Sequence, residues 1–389
     1  MDEKKGTFSR VRTRNNKKSR RLRRSFRRLL FLFIFLMCSV ILYKIFLPEK
    51  KAIVSTTHNP KEINVLVKEN SKVVSSNTTI KISAAGDFTL GRDENYDYSG
   101  SFTDEATKNG LRYFVEDINQ LFLTDDFTSV NLETTLTTST EKAEKTFRFK
   151  GDPSYAEILR LGGIEAVNLA NNHMFDYLQK GYEDTKRALD SHNIGYFGYE
   201  NSFITTIKDV KVAALGYEGW QDTEEIRAQI EKDIIDLRKK GSQIILVHFH
   251  WGDEKQYTPN NSQQTLAKFT IDSGADLILG HHPHVIQGIE EYKGKFIVYS
   301  LGNFMFGGNK NPSDKDTFVF QQTFHLKDGK LTVKKEINII PFSISSVASR
   351  NNYQPTKLNG AESNRVMEKI IHYSNEINGS DWLVYDQKN

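Results

Sequence analysis

Cysteine is almost absent: the 389-residue chain has one, Cys38. That excludes an intramolecular disulfide and any thiolate zinc cluster, so a metal would have to be held by His, Asp, Glu and Asn. Net positive charge is confined to the N-terminus. Residues 1–28 hold 13 Lys and Arg against 2 Asp and Glu, a net +11 in a chain whose total is +4. Everything after them carries −7. The basic pI belongs to the arm, and no nucleic-acid partner is expected. There is no internal repeat and no low-complexity tract beyond that arm.

What is present begins with a membrane-anchor pattern. Residues 29–47 form a 19-residue run that is apolar except for Ser39, Tyr43 and Lys44. As a helix it would span about 28 Å, close to the hydrocarbon thickness of a bilayer. No A-x-A cleavage site follows, and Met37 before Cys38 does not fit a lipoprotein signal. The expectation is a single-pass signal anchor in the cell membrane. The positive-inside rule puts the 1–28 arm in the cytoplasm and the C-terminal domain outside the cell. Residues 48–79 read as an extracellular linker.

From residue 80 strand-like and helix-like patterns alternate. Strands are predicted at 80–85, 127–132, 164–169, 194–197, 204–207, 210–215, 244–247 and 277–279. Helices are predicted at 105–122, 153–161, 181–192, 223–240 and 262–273, and antiparallel strands at 296–300, 317–326 and 331–339. This alternation predicts an α/β domain with a parallel sheet covered by helices, over 80–345, and a polar helical extension over 346–389. In such sheets, sites form outside the carboxyl ends of the strands.

Polar clusters fall at those ends. Three of the ten histidines, His281, His282 and His284, follow the apolar run at 277–279. His248 and His250 close the run at 244–247. Neutral imidazole at the end of a buried strand suits a transition metal better than it suits a core. Only one of His248 and His250 is expected in the site, on the reading that they face opposite sides of their strand. His250 is taken as the ligand and His248 as a hydrogen-bonded core residue. His281 is read as structural or as supporting a ligand.

In order, the clusters are Gly86-Asp87, Asn131-Leu-Glu133, Asn171-Asn172-His173, His248-Phe-His250-Trp251-Gly252 and Gly280-His281-His282-Pro-His284. The set resembles the calcineurin-type metallophosphoesterase pattern. More closely, it resembles the CapA/PgsA family associated with poly-γ-glutamate capsule synthesis. The matching segments are Gly86-Asp-Phe-Thr-Leu-Gly91-Arg92, Asn168-Leu-Ala-Asn-Asn172-His173-Met-Phe-Asp176, His250-Trp-Gly-Asp-Glu254, His282-Pro-His284 and Ser300-Leu-Gly302-Asn303-Phe304. The fold this implies is a calcineurin-like sheet sandwich with flanking helices, preceded by one transmembrane helix.

The resemblance also implies roles. Asp87 and His284 would bind a first metal, Glu133 would bridge, and Asn172, His250 and His282 would bind a second. His173 would be the general acid, oriented by Asp176, and Arg92 would clamp an anionic group. Arg92, Glu254 and Asn303 would contact substrate. One or two divalent ions are expected, Mn, Zn or Fe from the mixed N/O ligands. Thr89 stands where the phosphoesterase pattern has a histidine, which weakens the first position. The expected function is poly-γ-glutamate synthesis or export, with other membrane subunits and the anionic polymer as partners. A metal-dependent hydrolase of a phosphoester or γ-glutamyl amide is the competing expectation, and a non-catalytic, polymer-binding metal cleft the third.

Overall fold

The computed structural model describes residues 77–380. The arm at 1–28 and the apolar run at 29–47 lie outside the described residues, as does the linker apart from its last three. Among the described residues no helix is long and apolar enough to cross a membrane.

Two large sheets stack face to face. The first has nine strands with Asn77–Thr89 at its centre. Phe127–Leu132, Ala166–Asn168 and Gly195–Phe197 continue from it in parallel on one side, and Asp316–Lys327 and Ile337–Ser343 run antiparallel on the other. The second has six strands, with Val210–Glu218, Ile244–His250, Leu277–His281 and Lys295–Val298 parallel and antiparallel edges at Phe203–Ile207 and Ile289–Tyr292. The 296–300 segment, predicted antiparallel, therefore pairs in parallel with Leu277–His281 and antiparallel with Ile289–Tyr292. A three-stranded sheet, Arg92–Asp93, Thr135–Leu136 and Phe149–Gly151, sits apart.

Strand alternation divides the core into layers. Ile80, Ile82 and Ala84 of the first sheet share one cluster with Val212, Ala214, Ile244, Leu246, Leu277 and Leu279 of the second. The outer face of the first sheet is covered by Phe102, Phe114, Ile118, Ile158 and Leu189. Ile245, Val247 and Ile278 on the outer face of the second meet Ile230, Ile234 and Leu266 of helices Glu224–Lys239 and Asn261–Asp272. The result is helix, sheet, sheet, helix. The C-terminal helix Gly360–Asn378 is not a mere appendage, because Val366 and Ile370 enter the layer between the sheets.

One long helix was expected at 105–122. Instead Phe102–Asn109 is capped by Ser101 and stopped by Gly110 at φ 77, followed by a 3₁₀ turn, Leu111–Val115, and a short helix, Asn119–Phe122. Glycine in that conformation ends a helix without a Cβ clash. The apolar positions still reach the core, since Phe114, Val115, Ile118 and Phe122 are all buried.

A bulge in the central strand decides where the chemistry sits. Ala84 pairs with Ser129, but Asp87 pairs with Asn131, so three steps on one strand match two on the other. Ala85 and Phe88 consequently both pack toward the helices. Asp87 turns instead into the layer between the sheets, where an unbroken alternation would have put Gly86. The bulge needs glycine, because a Cβ on Gly86 would lie 2.0 Å from the Gly302 carbonyl oxygen. Gly86→Ala is therefore expected to lose about 1–3 kcal/mol of unfolding free energy. Gly162→Ala on a helix, whose Cβ would meet side-chain atoms alone, the nearest a Val115 methyl at 3.2 Å, should change it far less. Equal shifts in chemical denaturation would remove the bulge argument.

Candidate metal centre

All the parallel strands of both sheets deliver their carboxyl ends to one edge of the sandwich. Asp87, Asn131 and Glu133 come from the first sheet, and His250 and His281 from the second. His282 and His284 follow in a turn around Pro283. Both have positive φ, 96° and 56°, a conformation that costs a non-glycine residue about 1–3 kcal/mol. The turn is held by His282 N–H donating to Asp87 Oδ2 (3.2 Å), by Lys255 N–H donating to the Pro283 carbonyl (2.8 Å) and by Asn303 Nδ2 donating to the His284 carbonyl (3.1 Å).

Two ligand trios result. Glu133, His250 and His282 each place one donor atom within 4.8 Å of the other two, and so do Asp87, Glu133 and His284. Glu133 belongs to both, as a bridging carboxylate would. His250 Nε2 lies 3.6 Å from Glu133 Oε1 and 2.9 Å from Asn172 Oδ1, which adds Asn172 to the first trio. His284 lies 3.4 Å from Asp87 Oδ2 through Nδ1 and 3.7 Å from Glu133 Oε1 through Nε2. The residues fit a divalent cation for a further reason. Both Glu133 carboxylate oxygens and His282 Nδ1 are buried with no hydrogen-bond partner. Native proteins seldom leave such groups unpaired, and a cation is the natural partner for them.

Electrostatics point the same way. Burial holds His250 uncharged, its pKa well below the ordinary value. Burial and the neighbouring His284 push His282 down to about 3. Burial opposes charge on His284, but Glu133 and Asp87 outweigh it and raise its pKa to about 10. Burial raises the Glu133 carboxyl well above the usual range. Asp87 stays ionised against burial because His281 and His284 face it. Neutral His250 and His282 with an ionised Asp87 are in the form a transition metal requires, whereas His284 and Glu133 would each give up a proton on binding one.

The amides around the ligands are satisfied. Asn131 Nδ2 donates to Asp87 Oδ1 (2.8 Å), and Asn131 Oδ1 accepts from Asn168 Nδ2 (2.9 Å) and Asn171 Nδ2 (3.3 Å). His173 sits beside Asn172 with Nδ1 2.7 Å from Asp176 Oδ2. Asp176 Oδ1 accepts from Lys145 Nζ at 2.6 Å and Oδ2 from Phe149 N–H at 2.7 Å. The Phe149 ring lies 4.2 Å from that of His173, centroid to centroid. Asp176 thus holds the His173 ring through Nδ1.

Other expectations change. His248 and His250 face the same side of their strand, because residues two apart on a strand share a face. His250 reaches the edge of the sandwich, and His248 lies one step deeper, 2.9 Å from Ser129 Oγ and 2.9 Å from His281. Arg92 turns one guanidinium nitrogen back to its own loop. Its Nη1 donates to the carbonyls of Asp93 (3.0 Å), Glu94 (3.2 Å) and Tyr96 (2.7 Å), closing its own loop. Asn303 Oδ1 lies 2.9 Å from His284 Nδ1, so it steadies a ligand rather than facing open space. Glu254 is exposed, and its charge reaches Glu133 and His284 from outside. Sequence reasoning missed Lys145 and Trp220. Trp220 is 37% exposed and stands edge-on to His282 at 4.7 Å, with Nε1 donating to Glu218 Oε2 at 2.6 Å. Neither carries a sequence signal beyond its residue type.

Neither Glu133 carboxylate oxygen has a hydrogen-bond partner, so Glu133→Gln isolates its role as a ligand. The variant is expected to melt within a few degrees of the parent in chelator. It should lose the rise in melting temperature that Mn²⁺ or Zn²⁺ gives the parent. An undiminished metal-induced rise would exclude Glu133 as a ligand.

The family described as bacterial capsule synthesis protein PGA_cap matches residues 81–308. The capsule biosynthesis protein CapA of Bacillus anthracis is 27% identical over 80% of this chain and 77% of its own length. The PGA biosynthesis protein CapA of Bacillus subtilis is 31% identical over 65% and 69%. Among solved structures, a hypothetical protein from Thermus thermophilus gives a TM-score of 0.43 at 13% identity, over 67% of this chain and 99% of that one. A phosphatase from Mycoplasma pneumoniae gives 0.42 at 17%, over 68% and 95%. Neither structural likeness bears on the site. The family match covers more than half of the chain and every ligand from Asp87 to His284, so the chain belongs to the PGA_cap family of bacterial capsule synthesis proteins, together with the CapA proteins.

Proposed function

We propose that this chain is a membrane-anchored protein of poly-γ-glutamate capsule synthesis or export, working through a divalent-metal centre on the outer side of the membrane. The observation that carries the reading is the pair of ligand trios sharing Glu133, in a chain of the capsule synthesis family. The relatives' names supply the polymer: PGA biosynthesis for the Bacillus subtilis protein, and polyglutamine synthesis for a probable accessory protein of Mycobacterium tuberculosis that is 27% identical over 46% of this chain. The apolar run at 29–47 after a +11 arm supports the anchor and its orientation. The partners on this reading are the membrane subunits that polymerise or export the chain, and the polymer itself.

Asp87, Glu133 and His284 would hold one ion, and Glu133, Asn172, His250 and His282 another. A divalent ion bound there would polarise a phosphoryl or carbonyl oxygen and favour attack by water. With Nδ1–H turned to Asp176, His173 keeps a lone pair on Nε2, which can take a proton from the attacking water and then hand it to the leaving oxygen or nitrogen. Lys145 compensates the buried Asp176 charge. Asn303 and the Pro283 turn keep His284 in place.

Deleting the gene in a capsule-forming host is expected to abolish extracellular polyglutamate, with the wild-type gene restoring it and His282→Ala failing to. Normal polymer in the deletion strain would end the capsule reading. A second reading, a metal-dependent hydrolase outside any capsule system, is favoured by the His173–Asp176 pair beside the ligands. On that reading the purified chain with Mn²⁺ cleaves a phosphodiester or a γ-glutamyl amide, and His173→Ala lowers turnover about 10²–10⁴-fold. Equal rates in the two proteins would rule out His173 as the acid.

A further inference from the structure

Behind Asp87 lies a chain of polar side chains that the ligand set does not use. Ser129 Oγ is 2.9 Å from His248 Nε2, and His248 Nδ1 is 2.9 Å from His281 Nε2. His281 Nδ1 is 3.4 Å from Asp87 Oδ1, a long contact, and that nitrogen has no other partner. All four residues are fully buried. The planes of the two imidazoles are nearly parallel, 6° apart with centroids 5.1 Å apart. The chain crosses the layer between the sheets, from Phe127–Leu132 in one to Ile244–His250 and Leu277–His281 in the other.

We propose that Ser129, His248 and His281 form a one-way hydrogen-bond relay that orients Asp87 as a metal ligand, with neither imidazole binding the ion. The polarity follows from counting protons. A neutral imidazole has one N–H and one lone pair, and an ionised carboxylate only accepts. A singly protonated His281 turns its Nδ1–H to Asp87, which makes its Nε2 an acceptor. His248 must then donate from Nδ1 and accept at Nε2, and the Ser129 hydroxyl supplies the last proton. The opposite polarity would set the His281 Nδ1 lone pair against the Asp87 carboxylate.

The relay matters because the first metal position is short of a ligand. Among the described residues only Asp87, Glu133 and His284 gather there, so the aim of Asp87 counts for more. Asp87 already accepts from Asn131 Nδ2 at Oδ1 and from His282 N–H at Oδ2. His281 adds a donor on the Oδ1 side, and the relay fixes which of its nitrogens carries the proton. Partners of this kind commonly set the orientation of the ligand they touch and are worth about 10–100-fold in metal affinity. Ser129, His248 and His281 are thus positioning residues, acting through Asp87.

The inference rests on the metal reading of the site, and one experiment separates the two. The full chain is labelled with ¹⁵N at its histidine rings, and long-range ¹H–¹⁵N spectra are read without metal and with Zn²⁺. His248 and His281 are both expected to carry the proton on Nδ1 in both states. An Nε2 proton on either ring overturns the relay. So does loss of the His281 Nδ1 proton on adding zinc, which would make His281 a ligand. Ser129→Ala should release the His248 tautomer and weaken Zn²⁺ binding about tenfold, and Ser129→Thr should restore both. Unchanged tautomer and affinity in Ser129→Ala overturn the proposal. A parent chain that binds no zinc sinks the metal reading and, with it, the ligand-orienting role, while the metal-free tautomers still decide the polarity.

Discussion

Glu133 is the constraint around which the site is organised. Its carboxylate is fully buried between two sheets, and neither oxygen has a hydrogen-bond donor. Leaving a buried carboxyl unpaired costs several kcal/mol unless something neutralises it. Around it the protein satisfies nearly everything else. Asn131, Asn168 and Asn171 form a closed amide network, and Asp176 has three donors including the His173 ring. Among the ligands, unpaired polar atoms are thus concentrated at Glu133 and at His282 Nδ1, rather than spread through the layer. A cation that meets both oxygens removes the penalty, so metal affinity and the cost of the metal-free state are two sides of one arrangement.

That arrangement depends on a departure from regular geometry in each sheet. In the first, the bulge at Gly86 turns Asp87 off the helix-facing side and into the layer where Glu133 lies. In the second, the chain leaves Leu277–His281 through a turn in which both His282 and His284 have positive φ. A regular strand would also put His282 and His284 on one face, two residues apart, but would carry them on along the strand direction. The turn instead presents both, on either side of Pro283. The two distortions meet directly, since the His282 N–H donates to Asp87. Strain on one sheet is held by a carboxylate placed by strain on the other, which ties the ligand geometry to the packing of the whole sandwich.

Much of this was legible in the sequence, for a physical reason. Polar residues at the ends of apolar runs are costly, so Asp87, Glu133, Asn172, His250, His282 and His284 stood out, and the structure brings all six together. The stacked sheets followed from strand–helix alternation and the family resemblance. What failed were inferences that needed geometry finer than the pattern. Placing His248 and His250 on opposite faces misread the two-residue period of a strand. Extending a helix over 105–122 passed over Gly110, where the apolar spacing stays helical although the backbone does not. Arg92 looked like an anion clamp by residue type, but carbonyls of its own loop take its Nη1. Lys145 reaches Asp176 from a loop 31 residues away in sequence, and no local pattern encodes such a contact.

The site is also more than a structural metal clamp requires. A closed structural site needs ligands and packing, and it gains nothing from a separately oriented proton carrier. Here Asp176 is buried at a cost offset by Lys145, and its effect is to hold His173 Nδ1 and leave Nε2 available. Phe149 packs on the same ring, and Trp220 lines the histidine side while remaining partly exposed. These features set a ring nitrogen, oriented by a buried carboxylate, beside the ligand set, an arrangement suited to moving a proton. Thr89, two residues beyond Asp87 on the same strand, adds a buried hydroxyl without a hydrogen-bond partner to the unpaired oxygens of Glu133 and to His282 Nδ1.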